Sequence, residues 1–169
     1  MKKKTITTLI ITVSILFIIG ILVFSTTYNT AREQYASGHE QSKALALEKG
    51  KLSSVGTIET YYGQQKFHVM TGENSNGDKV YAWVMQSEKD QQVIVKKQSS
   101  GITKKQAITT VQKEYNPVKI IDVKLGMDEG IPIWEVKYVD ESNRYTFDLV
   151  NFYDGEIVKH MAIKNTAQS

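Results

Sequence analysis

The chain has 169 residues and a formal net charge of +3, and Lys2, Lys3 and Lys4 supply that excess: the rest of the chain carries 18 basic residues against 18 acidic ones. Neutralising nucleic-acid phosphates takes a basic excess gathered on one face, so this balance excludes nucleic acid as the expected partner. The absence of cysteine excludes disulfides, zinc–thiolate centres, thiol nucleophiles and a lipidated N-terminal cysteine.

The first element is apolar. Residues 6–24 carry no charge. As a helix they would span about 28 Å, close to the ~30 Å hydrocarbon core of a bilayer. A cleaved signal has an apolar core of about 7–15 residues and a small-residue cleavage site. This core is longer, and the S-T-T-Y-N-T-A after it offers no A-x-A. An uncleaved transmembrane helix is therefore expected, with residues 1–5 as a cytoplasmic basic tip. Basic residues stay inside, and none follows the span until Arg32, so the C-terminal part is placed outside the cell membrane. Gly20 has no small partner four residues away, which makes the helix a tether rather than a dimerisation device.

Residues 30–52 contain no proline and are rich in Ala, Glu, Gln and Lys, and they read as a helix continuous with the span. Ala31, Tyr35, Gly38, Ser42 and Leu45 form its narrow small-residue face. The period then changes to two. Residues 55–62, 66–71, 79–86 and 92–97 are β-branched and aromatic, with the turn sequence G-E-N-S-N-G-D between the second and third. A second helix opens after Gly101. Thr103 and Gln106 fit a capping box, Ala107, Ile108, Val111 and Tyr115 make its buried face, and Asn116–Pro117 ends it. Strands follow at 118–125, 133–139, 144–152 and 156–163, with Asp154–Gly155 as a hairpin signal. Within residues 134–138 apolar side chains alternate with charges, which reads as one buried and one solvated face.

The chain outside the span is thus an internal repeat. The fold class is α+β: two tandem units, residues 30–98 and 101–163, each a helix packed on an antiparallel sheet, with 164–169 as a tail. Each unit is small enough to have a marginal core alone, so the two should pack together.

The second unit resembles a PepSY-type domain. The likeness rests on Thr103 and Ala107 opening the helix, Trp134–Glu135–Val136 in a central strand, and Asp154–Gly155–Glu156 near the end. It departs from that pattern at Val111, where a second small residue is common, and at Asn151, where an acidic one is common. The basic start, the span, the Ala-rich helix, Tyr61–Tyr62–Gly63, Tyr81–Ala82–Trp83–Val84 and the PepSY-like unit together resemble the TseB-like (YpmB-type) cell wall elongation regulators of Bacillus and its relatives. That resemblance covers nearly the full chain. It implies tandem cystatin-like domains outside the membrane and a role with an elongation-specific class B penicillin-binding protein. It brings no accepted catalytic residues.

The chemistry-bearing residues support no enzyme. His39, His68 and His160 have no second histidine or carboxylate at metal-ligand spacing, so sheet or surface positions are expected and no metal or cofactor. Asp128–Glu129–Gly130 reads as a turn between strands rather than half of a carboxylate pair. No G-x-S-x-G and no phosphate-cradling loop occurs. The aromatics carry two readings. Most of them suit two small cores. Tyr61 and Tyr62 are adjacent on one strand and must point to opposite faces. Tyr61, Tyr62, Trp83 and Trp134 are the candidates for a partner surface, since Trp and Tyr are enriched at binding hot spots. A sheet edge could also capture an extended peptide.

The leading expectation is a non-enzymatic regulator that binds a membrane-bound cell wall synthase. The alternatives are a PepSY-type modulator or inhibitor of an extracellular peptidase and, last, an enzyme acting on wall polymers.

Overall fold

The computed structural model describes residues 13–28, 38–87 and 91–164. The basic tip, residues 6–12 of the expected span, residues 30–37 of the helix expected over 30–52 and the tail after Lys164 lie outside the described residues. The chain divides into two compact parts, one ending at Gly38 and the other starting at His39.

In the part ending at Gly38, residues 13–28 are helical (α1). Its Val, Ile, Leu and Phe side chains are exposed on every side. A water-facing helix would show a polar stripe, and this one shows none. Near its end the Thr26 hydroxyl donates to the Val23 carbonyl at 3.0 Å. Among the described residues no helix is long and apolar enough to cross a membrane.

The part from His39 onward holds two four-stranded antiparallel sheets in simple meander order, one in each helix–sheet unit. The first follows α2 (His39–Glu48) and comprises β1 (Leu52–Tyr62), β2 (Lys66–Asn74), β3 (Lys79–Met85) and β4 (Val93–Lys97). A 3-10 turn at Gln98–Ser100 leads to α3 (Lys104–Tyr115) and then β5 (Lys119–Asp128), β6 (Ile131–Val139), β7 (Tyr145–Asn151) and β8 (Ile157–Ile163). The helix–sheet repeat read from the sequence is present in both halves.

Several strands run two or three residues past the expected bounds, β1, β2, β5 and β6 among them, and two further differences have a local reason. The helix expected over 30–52 does not run through Gly38 or reach Leu52. Gly38 has φ +83°, outside the helical region, and Lys51 at φ +54° turns the chain into β1. The strand expected over 144–152 ends at Asn151, where the turn to β8 begins; within that turn Phe152 still donates its N–H to the Pro132 carbonyl of β6 at 3.0 Å. Its ring is fully buried, and its carbonyl accepts from the Ile102 N–H at 2.7 Å.

Other local signals are realised as read. Gln106 N–H donates to Thr103 Oγ1 at 3.3 Å, and Thr103 N–H donates back to Gln106 Oε1 at 2.8 Å. Two of the helix's orphan donors are thereby satisfied. Asn116 closes α3 in the left-handed region, and its N–H returns to the Gln112 carbonyl. Glu129 and Gly130 both have positive φ, 48° and 80°, the geometry of a two-residue type I′ hairpin. Asp128–Glu129–Gly130 is a turn.

The packing goes beyond the alternation. The first sheet is buried on both faces, and Phe67, His68, Val69 and Met70 are all buried in succession. Met70, Val80, Ala82 and Val84 form one small core with Ala46 and Leu52 beneath α2. The opposite face, with Tyr61, Phe67, Val69 and Trp83, joins the second unit's core of Val123, Leu125, Trp134, Val136 and Phe152. The second sheet's edge strand β5 is its contact with β1 and β2. On the second sheet Trp134, Val136 and Tyr138 face α3, whose Ala107 and Val111 are fully buried.

Candidate partner surfaces and polar clusters

The sequence singles out four aromatic residues, and the fold separates them. Tyr61 and Tyr62 do point to opposite faces, with Tyr62 61% exposed and Tyr61 4%. Trp83 and Trp134 are buried too. Three of the four therefore present no outward surface in this structure, because they form the joint between the two sheets. Tyr61 donates its hydroxyl to Glu135 Oε2 at 3.2 Å, and Trp83 Nε1 donates to the Gly126 carbonyl at 2.9 Å. Tyr81 meets the Trp134 and Phe152 rings edge-on, each at 6.0 Å between centroids. Trp134 Nε1 donates to the Ile102 carbonyl at 3.0 Å, which ties the start of α3 to the same joint. A cleft of about 180 Å³ remains beside it, with Tyr81, Trp134, Thr71 and Lys104 among its walls.

Only Tyr62 of the four is available from outside, and Lys66 Nζ sits 5.6 Å from its ring centroid. The larger exposed surface lies elsewhere. Tyr145, Phe147, Met161 and Ile163 occupy the face of the second sheet away from α3. Cross-strand register pairs Tyr145 with Ile163 and Phe147 with Met161. Lys137, paired with Phe147 across β6 and β7, places its Nζ 5.1 Å from the Phe147 centroid and 5.6 Å from that of Tyr145. The sequence does not single this face out, because an aromatic side chain on a strand reads the same whether another element covers it or not. In the first sheet the second unit covers that face.

Two polar clusters also form that spacing could not show. His39 and His68 stand 29 positions apart in the chain, yet their rings meet edge-on at 4.5 Å. His68 Nδ1 shares a 2.8 Å hydrogen bond with Ser42 Oγ, and His39 Nε2 shares one of 2.8 Å with Thr60 Oγ1. Gln86 Nε2 donates to Ser42 Oγ at 2.8 Å. Burial, then Lys66, lowers the His39 pKa. His68 takes a sheet position, as expected, and its meeting with His39 is a contact that the spacing in the chain does not show. The cluster seats the first turn of α2 on the sheet.

His160 likewise gains a carboxylate, 2.6 Å from Asp148 Oδ1. Asp148 is fully buried and also accepts from the Tyr138 hydroxyl at 2.8 Å. Tyr115 of α3 lies against the His160 ring at 4.4 Å. Burial raises the Asp148 pKa, opposed by the hydrogen bonds from Tyr138 and His160. Chemically this is a helix-to-sheet fastening: every polar atom named is turned to another within the fold. Among the described residues no group of three or more His, Asp or Glu side chains could hold a metal ion.

Comparison with known proteins places this architecture. The sequence-family model described as a cell wall elongation regulator TseB-like domain matches residues 41–85, which run from α2 to the end of β3. The model described as a peptidase propeptide and YPEB domain, PepSY, matches residues 101–161, covering α3 and the second sheet. The chain is 31% identical over 163 residues to the probable cell wall elongation regulator TseB of Bacillus subtilis, covering 95% of this chain and 99% of that one. The solved YpmB protein from Bacillus subtilis superposes with a TM-score of 0.71 at 29% identity, over 75% of this chain and 98% of that one. The chain belongs to the family of TseB-like cell wall elongation regulators.

Proposed function

We propose that this protein is a non-enzymatic, membrane-anchored regulator of cell wall synthesis. Its N-terminus is cytoplasmic, its two helix–sheet units are extracellular, and it acts by contact with an elongation-specific class B penicillin-binding protein. The observation that carries this reading is the match to the probable regulator along almost the whole of both chains, which takes in both units rather than one shared module. Two features support the details. The Val, Ile, Leu and Phe side chains of α1 are exposed all round, which suits a lipid environment better than water. The titratable pairs Tyr61–Glu135 and Asp148–His160 are spent on holding the fold together.

In-cell crosslinking from the second unit, with identification of the captured proteins, tests the partner. Capture of the class B synthase is expected. Crosslinks to neither a synthase nor any other wall-synthesis protein would overturn the reading. The anchor is tested by the N-terminus of the mature protein: a chain beginning after Phe24 would remove it.

A second reading has its own observation. The family matched by residues 101–161 is described by peptidase propeptides, so modulation of an extracellular peptidase is the alternative. The same capture distinguishes it, since a secreted peptidase in place of the synthase would favour it.

A further inference from the structure

The two sheets differ in one respect that bears on binding. In the first sheet, the face away from the helix is covered by the second unit. In the second sheet, the equivalent face is covered only in part. Ile133 and Leu149, in the rows next to the Tyr61 contact, are buried. One row on, Met161 is 39% exposed beside a half-buried Phe147, and in the next row Tyr145 is 37% exposed and Ile163 59%. Burying such side chains is favourable, and a contiguous group of them on a surface marks an interaction site more often than a scatter of single ones does.

Charge narrows what can cover it. Lys137 stands among these side chains, and Lys119 lies in the same cross-strand row as Val139, Tyr145 and Ile163. Lys164 follows at the end of β8. Among the described residues none of these three lysines has a carboxylate within ion-pair distance. The acidic groups on this face are already engaged. Asp122 pairs with Lys124 at 3.5 Å, Asp128 with Lys159 at 3.5 Å, and Glu135 accepts from Tyr61. Asp122 stands opposite Lys137 across β5 and β6 but turns its carboxylate to Lys124, so the patch is apolar with lysines in excess of carboxylates. Lys137, lying along two aromatic rings, is held in place to meet an incoming carboxylate.

We infer that the open face formed by Tyr145, Phe147, Met161 and Ile163 around Lys137 is the docking surface for the regulator's protein partner. It receives a segment that sets apolar side chains on the four residues and an acidic side chain on Lys137. This rests on the reading of the protein as a contact regulator of a membrane-bound synthase, and names the surface by which the contact is made. A lipid surface would match the positive charge, but it has no fixed carboxylate to place on a lysine already positioned by two rings.

Photoreactive residues placed one at a time in the full-length, cell-expressed chain test this. Positions 145 and 161 lie on the patch, while Tyr62 and Lys105 lie off it. The synthase should be captured from 145 and 161. Lys137→Glu should lower that capture roughly tenfold, as loss of a central contact does, and Lys137→Arg should retain it. Comparison of Lys137→Glu with Lys137→Arg at matched abundance separates charge from folding. Capture of the synthase from 62 or 105 but not from the patch would overturn this surface and leave the regulatory reading standing. Capture of the synthase from no position would overturn both. Crosslinks from the patch to lipid alone, or to a second copy of this chain alone, would overturn the surface, as would capture indifferent to Lys137→Glu.

Discussion

Tyr61 and Glu135 are 74 positions apart, and their hydrogen bond of 3.2 Å joins the first sheet to the second. The ring of Tyr61 also fills the space beside Gly126, so that a Cβ built on Gly126 would fall within it. This is a close approach that only glycine permits, and it needs no unusual backbone angle. Gly126→Ala is expected to lower stability by about 1–3 kcal/mol through overpacking. Tyr61→Phe keeps the ring and loses the hydroxyl, and is expected to cost about 1 kcal/mol. Urea unfolding of both variants checks the order: Gly126→Ala less stable than Tyr61→Phe.

The same pair gives a pH dependence. Burial raises the Glu135 pKa above the usual carboxylate range, and the bond from Tyr61 opposes this only in part. Below the ordinary glutamate pKa both folded and unfolded chains hold the proton. As pH rises the unfolded chain releases it first. The stability tied to the neutral carboxyl is thus fully present at acid pH and lost as pH passes up through the raised folded value. Glu135→Gln retains an acceptor for Tyr61 and removes the titration. Its stability relative to the parent should increase from pH 4 to pH 7, as read by thermal unfolding across that range.

These features also mark how far the sequence was legible. The capping box, the I′ turn after Asp128 and the split of Tyr61 from Tyr62 across a strand all follow from neighbours within a few residues, where local chemistry decides. The repeat of helix and strands was legible for the same reason. That the two helix–sheet units pack together followed from their small size, but which faces meet did not. Phe67, Trp83 and Trp134 look alike in sequence whether they cover a core or face a partner, and only the placement of β5 on the first sheet decides. The same holds for Tyr145 and Phe147, which lie on an open face. His39 met His68 only because α2 folds back over β2, a contact no metal-ligand spacing encodes.

Asp148 is the acceptor for both Tyr138 and His160. Asp148→Ala leaves the buried Tyr138 hydroxyl without that acceptor, and a cost of about 2–4 kcal/mol is expected. Asp148→Asn keeps an acceptor oxygen and should lose less. Loss of β8 protection in the alanine variant, seen by amide hydrogen exchange, would show that His160 is held through this carboxylate. Equal stability of the two variants would contradict it.

Thr103→Ala removes the side chain that accepts from Gln106 and is expected to cost about 1 kcal/mol. Thr103→Ser should recover most of it, because the hydroxyl is the functional part. Equilibrium unfolding of the two variants reads the difference.

The claim that this regulator acts by contact is tested most directly by reconstitution in bilayer discs. The full-length protein and a class B penicillin-binding protein would be placed together, and binding and wall-polymer turnover measured. Saturable association that falls with Lys137→Glu, and no polymer cleavage by this protein alone, is the expected result. No association at any ratio, or cleavage of the polymer by this protein on its own, would contradict it.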